Sequence, residues 1–192
     1  MTLNLQLHYI NYYKKLYNIL ESSPFKPIED FANSILTAWR TKKTLYICGN
    51  GGSAGNAIHL ANDFNYGISK GTGIGMRVEA LPANASVLTC LANDIGYENI
   101  FSQQLEVKAN KEDVLLVLSG SGNSPNILRA LEVGNELEMI TFAILGYSGG
   151  KAKDIAKFPI HFSIDDMQIA EDLQLIVGHI IMQWLCEQEF KK

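Results

Sequence analysis

Two glycine- and serine-rich segments and two histidine–carboxylate pairs carry most of the side chains with chemistry in this sequence. The first segment is Gly49-Asn50-Gly51-Gly52-Ser53 and the second is Ser119-Gly120-Ser121-Gly122-Asn123-Ser124. Each follows a short apolar run and opens a stretch with helical character. Free backbone N–H groups converge at such a helix start, the helix dipole turns its positive end outward, and glycine lets a ligand approach the main chain. That geometry suits an anion. The second segment offers three serine hydroxyls and no lysine or arginine, so a phosphate there would be held by N–H groups and hydroxyls. A tight turn with a capped helix and no ligand is the plainer alternative. Two such turns at strand ends weigh toward phosphate.

His59 and Asp63 stand four residues apart, on one face of the helix that the first loop opens. Glu171 and His179 stand eight apart on the closing helical stretch, within one broad face. Four such nitrogen and oxygen groups could bind zinc. A histidine on a mostly apolar helix (IVGHIIMQW) is more often a satisfied core residue, so spacing alone leaves both readings open. Other motifs fit less well. Gly49-x-Gly51-x-x-x-Gly55 has the wrong spacing for a dinucleotide fingerprint, and there is no G-K-[ST] of a P-loop. Gly51-Gly52-Ser53-Ala54-Gly55 matches the hydrolase elbow G-x-S-x-G. It follows the first strand of the sheet, however, where no earlier strand can supply an oxyanion loop.

The elements that must position these groups alternate. Short apolar runs at residues 44–48, 76–81, 113–118, 140–145 and 159–164 read as strands, the buried kind that lacks alternation. Helical spacing predicts helices over residues 4–21 and 28–41, after the first loop, and over 84–93, 97–109, 125–138, 151–156 and 169–190. Ser124 before Pro125 is the expected N-cap of the helix after the second loop. Residues 67–75, with four glycines in nine, read as a loop. The pattern is that of an α/β doubly wound parallel sheet, whose ligands bind beyond the strand C-termini. Two helices over residues 1–42 precede the first strand, and residues 43–192 form the sheet domain. Tyr9, Tyr12, Tyr13 and Tyr17 crowd the first helix, which favours a subunit interface over simple packing on the domain.

Bulk properties narrow the class. The chain has 192 residues, 47% hydrophobic and 19% charged, enough for a core and too apolar for disorder. A net charge of −4 without a basic stripe argues against nucleic-acid binding. No apolar run is long enough for a membrane span and no signal peptide shows, so the expected location is cytoplasmic. Three scattered cysteines suggest neither a disulfide framework nor a thiolate site. Cys48 and Cys90, both in apolar runs, are expected to be buried.

GNGGSAGNAIH, the LANDIGYENIFSQQ run at 91–104 and SGSGNSPN at 119–126 together resemble the sugar isomerase (SIS) domain family. Within it, the similarity is greatest to members that interconvert sedoheptulose 7-phosphate and a mannoheptose 7-phosphate. The resemblance implies a flavodoxin-like sheet of five parallel strands and a homotetramer built on the N-terminal helices, with active sites at subunit interfaces. It implies a phosphosugar substrate contacted by Asn50, Gly51, Gly52, Ser53, Asn93, Asp94, Ser119, Gly120, Ser121, Ser124 and Glu171. It also implies a zinc site on His59, Asp63, Glu171 and His179, with Asp63 as base and His179 as its acid/base partner. The product would feed surface heptose or lipopolysaccharide synthesis. Other roles open to the family are isomerisation of a different phosphosugar and non-catalytic binding of a phosphosugar or a protein. The chain departs from the family pattern at Asp63 (usually Glu), Glu171 (usually Gln), Asp172 (usually Glu), Gly120 (usually Thr) and Gly67 (often Arg).

Overall fold

The computed structural model describes residues 4–188. Five parallel strands, β1 (Leu45–Gly49), β2 (Val78–Ala80), β3 (Val114–Ser119), β4 (Ile140–Leu145) and β5 (Phe158–His161), form one sheet in the order β2-β1-β3-β4-β5. β1 pairs with β3 from Leu45↔Val114 to Gly49↔Leu118. Alternate side chains enter two separate cores. Leu45, Ile47, Leu116 and Leu118 point to one face, and Tyr46, Cys48, Leu115 and Val117 to the other. Helices cover both faces, which is why β1 and β3 are apolar at every position. The chain leaves β1 toward β2 and returns past it to β3. The order therefore reverses between β1 and β3, and the loops after these two strands flank a crevice.

On the first face lie α1 (Leu5–Ser22), α2 (Lys26–Arg40), α3 (Gly52–Asn62) and α9 (Met167–Cys186). α2 buries Phe31, Ile35, Leu36 and Trp39, and Phe31 packs on Phe142 of β4 with ring centroids 4.8 Å apart. α1 buries no residue. It is fastened to α9 by Tyr12 Oη, which donates to Asp172, and by Lys15 Nζ, 3.1 Å from Asp166 Oδ2. Asp166 caps α9, accepting from the Ile169 N–H at 3.4 Å. On the second face lie α6 (Ser102–Lys108), α7 (Pro125–Glu136) and α8 (Ala152–Ile155), while α5 (Ala85–Ile95) runs at its edge, capped by Asn84. Among the described residues no helix is long and apolar enough to cross a membrane.

Several expectations change. Residues 67–75 are largely not a loop: a π turn (Asp63–Gly67) and α4 (Ile68–Thr72) continue α3, and Gly73 ends the helix at φ +75°. α9 covers this segment, with Met182 against Gly67 and Cys186 against Gly71, so packing overrides the low helix propensity of glycine. β2 is three residues long because the chain turns into a 3₁₀ segment (Leu81–Ala83) containing Pro82, which has no N–H for the ladder. The helix expected over 97–109 is a 3₁₀ turn (Tyr97–Asn99) followed by α6. Cys48 is buried as expected, and burial pushes its thiol pKa up. Cys90 is exposed and hydrogen-bonds Asp94 Oδ2 at 3.5 Å. The last residues of the helix expected to reach 190 lie outside the described residues.

Candidate active site

The loop after β1 turns at Gly51, whose φ of +55° and ψ of −121° suit glycine alone. Gly52 then begins α3, and a Cβ there would run into the carboxylate of Glu171 on α9. An acidic group thus already stands against the first helix start. The loop after β3 carries no acidic side chain and folds on itself, Ser119 Oγ accepting from the Gly122 N–H at 3.0 Å and Ser121 Oγ from the Asn123 N–H at 3.4 Å. Ser124 occupies the N-cap position of α7, but its side chain makes no capping hydrogen bond, so its hydroxyl is left to other partners. Two anions at one helix start would repel, so the phosphate reading belongs to the second loop and the first loop reads as a sugar contact.

A cavity of about 260 Å³ opens between the two loops, lined by residues 50–53, 118–121 and 124 with Met167 and Glu171. Nine of the eleven expected substrate contacts, Glu171 among them, therefore share one cavity, with no lysine or arginine in its lining. Gly120 has its own reason to be glycine here: a Cβ would lie 2.7 Å from Met167 Sδ. Asn93 and Asp94 are not in the lining. They stand on the exposed end of α5 and bond each other at 2.8 Å.

Residues that the sequence did not single out support the first loop. Asn50 and Asn126 exchange two amide hydrogen bonds, each 2.8 Å, and Tyr97 Oη donates to Asn50 Oδ1 at 3.0 Å. Gln174, buried between α3 and α9, donates to Ser53 Oγ at 3.0 Å and accepts from Asn56 Nδ2 at 2.9 Å. Nothing local in the sequence marks these partners, which stand 76 and about 120 positions apart.

Farther along α3 and α9 the structure brings His59, Asp63 and His179 together. The two Nε2 atoms are 2.9 Å apart, and each is 3.3 Å from Asp63 Oδ2. Among the described residues these three offer ligand atoms within 4.8 Å of one another. Two imidazole nitrogens and a carboxylate oxygen at this spacing form a donor set that suits a divalent transition metal. Asp63 starts the π turn, a local widening of the helix often found where function requires a displaced side chain. Glu171 is not part of the cluster. Eight residues along α9 are roughly 12 Å of helix rise, which sets Glu171 about two turns from His179 and toward the cavity between the loops.

Residues 8–146 match the SIS domain family. The chain is 39% identical over 137 residues to a phosphoheptose isomerase of Helicobacter pylori, covering 71% of each, and 35% identical to that of Clostridium acetobutylicum, covering 80% of this chain and 78% of that protein. It superposes on the phosphoheptose isomerase of Neisseria gonorrhoeae with a TM-score of 0.85 at 25% identity, over 95% of this chain and 98% of the other. The Francisella tularensis enzyme, at 22% identity and a TM-score of 0.89, shares the fold. The chain belongs to the SIS domain family, on its phosphoheptose isomerase branch.

Proposed function

We propose that this chain converts sedoheptulose 7-phosphate to D-glycero-D-manno-heptose 7-phosphate through an enediol, as a cytoplasmic homotetramer supplying heptose for surface polysaccharide. The observation that carries this reading is a cation-free serine cradle on the loop after β3 that shares its cavity with the first turns of α3 and α9, the helices that farther along bring His59, Asp63 and His179 together. Ser119, Ser121, Ser124 and the start of α7 hold the phosphate. The backbone of residues 50–52 and the side chain of Glu171 hold sugar hydroxyls. Asp63 removes a proton from C1 of the ketose, and the C–H electron pair becomes the enediol double bond as the C2 oxygen gains a proton. Asp63 returns the proton to C2, while His179 moves the hydroxyl proton whose loss makes the C1 aldehyde. Holding the phosphate fixes both carbons relative to these groups.

His59, Asp63 and His179 would hold zinc, which when bound supplies Lewis-acid polarisation of the substrate oxygens. Glu171, which lines the cavity about two turns from His179, would complete the set from its own chain or from a second copy. A site shared between copies agrees with the assembly proposed.

The test is proton and phosphorus NMR of sedoheptulose 7-phosphate with the protein in heavy water containing zinc. New aldose anomeric signals, with deuterium at C2 of the product, are expected, and an unchanged spectrum overturns the reading. Asp63→Ala should retain ligand binding and lose turnover by about 10²–10⁴-fold, the usual contribution of a general base. One observation favours a different phosphosugar: Met167 puts a thioether beside Gly120, where the usual threonine of the family offers a hydroxyl. Five- and six-carbon ketose phosphates in the same assay decide between the two.

A further inference from the structure

We infer that Asn126 and Tyr97 are positioning residues that set the distance between the sugar-contacting loop and the phosphate cradle. This rests on the functional reading above. The ladder between β1 and β3 ends at Gly49↔Leu118, so the sheet itself does not hold the two loops beyond that pair. Past it, Asn50 on the first loop and Asn126 on the first turn of α7 exchange both amide hydrogen bonds at 2.8 Å. Tyr97, from the segment after α5, adds a third bond at 3.0 Å to Asn50 Oδ1. Both lone pairs of that oxygen are then used. Three separate crossovers meet on one side chain.

Asn126 is 1% exposed, so its amide cannot turn to water if the pair is broken. A satisfied buried amide pair holds one geometry, and a half-satisfied one does not. The loop that it holds contains Gly51, which lacks a side chain to restrict its backbone. The cradle also has bonds of its own, the Gly122 N–H donating to Ser119 Oγ and the Asn123 N–H to Ser121 Oγ. Loss of the tie should therefore leave phosphate where it is and let the sugar loop drift. A misplacement of about 1 Å costs roughly 10²-fold in rate.

Asn126→Ala and Tyr97→Phe separate the possibilities. Amide hydrogen exchange of residues 50–53 should quicken in both variants, more in Asn126→Ala. Inorganic phosphate should bind both with unchanged affinity, while kcat/KM falls by up to about 10²-fold, mainly through kcat, in Asn126→Ala and by less in Tyr97→Phe. Tyr97 is 56% exposed, so Tyr97→Phe carries the test even where Asn126→Ala does not fold. Unchanged exchange at residues 50–53, or parallel loss of phosphate binding and turnover, overturns the inference. Should the wild type fail to isomerise any ketose phosphate, the functional reading falls, and the exchange measurement still decides whether the tie exists.

Discussion

Gly120 and Met167 have to be considered together. A side chain at 120 would meet the Met167 sulfur at 2.7 Å, and that sulfur is the far end of a flexible chain that can move at a cost in packing. Gly120→Thr alone should therefore raise KM for the sugar phosphate, and Gly120→Thr with Met167→Ala should bring it back to or below the starting value. If the double variant stays impaired, the two positions are not coupled and Met167 is not what excludes a side chain. The glycine–serine loops were legible in the sequence because their chemistry is local: free N–H groups, φ above zero and a helix start follow from residue type. His59 and Asp63 were legible for the same reason, being one turn apart. The place of Glu171 was not, because a spacing of eight shows a shared face and hides a rise of two turns. Asn126 carried no signal either, since an asparagine after proline at a helix start looks like any cap.

At the scale of elements, α3 and α9 are joined by a polar seam inside an apolar contact. Gln174 bonds Ser53 and Asn56, and Asn56 also donates to the Glu171 carbonyl at 3.0 Å. Gln174→Ala should leave the buried Ser53 hydroxyl without its donor and Asn56 with the Glu171 carbonyl alone, and lower unfolding stability by about 1–3 kcal/mol, read from urea denaturation. A loss no larger than that of an exposed alanine substitution would show the seam to be dispensable. The strands β3 and β4 were readable almost to the residue, because parallel strands buried on both faces are apolar throughout. The helix through Gly67 and Gly71 was not, because its cause is α9 packing on it from more than a hundred residues away. Nothing in the sequence announces the π turn that sets Asp63 apart from the regular helix.

At the scale of the whole molecule, α1 leaves Tyr9, Tyr13 and Tyr17 at least half exposed, and an apolar groove between α2 and α9 opens at Phe25, Ile180 and Trp184. Tyr12 ties the helix down, its phenol pKa pushed up by burial and by the Asp172 carboxylate. Such a face suits copies of the chain packed on one another. Co-expressed Asp63→Ala and Glu171→Ala chains, each inactive alone, should regain measurable turnover if a site draws on two copies. Turnover that stays at the level of the separate variants would place each site within one chain. The cradle without lysine or arginine has a further consequence. A phosphate there meets N–H groups and hydroxyls in the lining and no cation, while Lys151, whose N–H bonds Asn123 Oδ1 at 3.1 Å, stands just outside it. Salt can then only screen charges outside the lining, so ionic strength should change affinity little, and the product leaves without an ion pair in the lining to break.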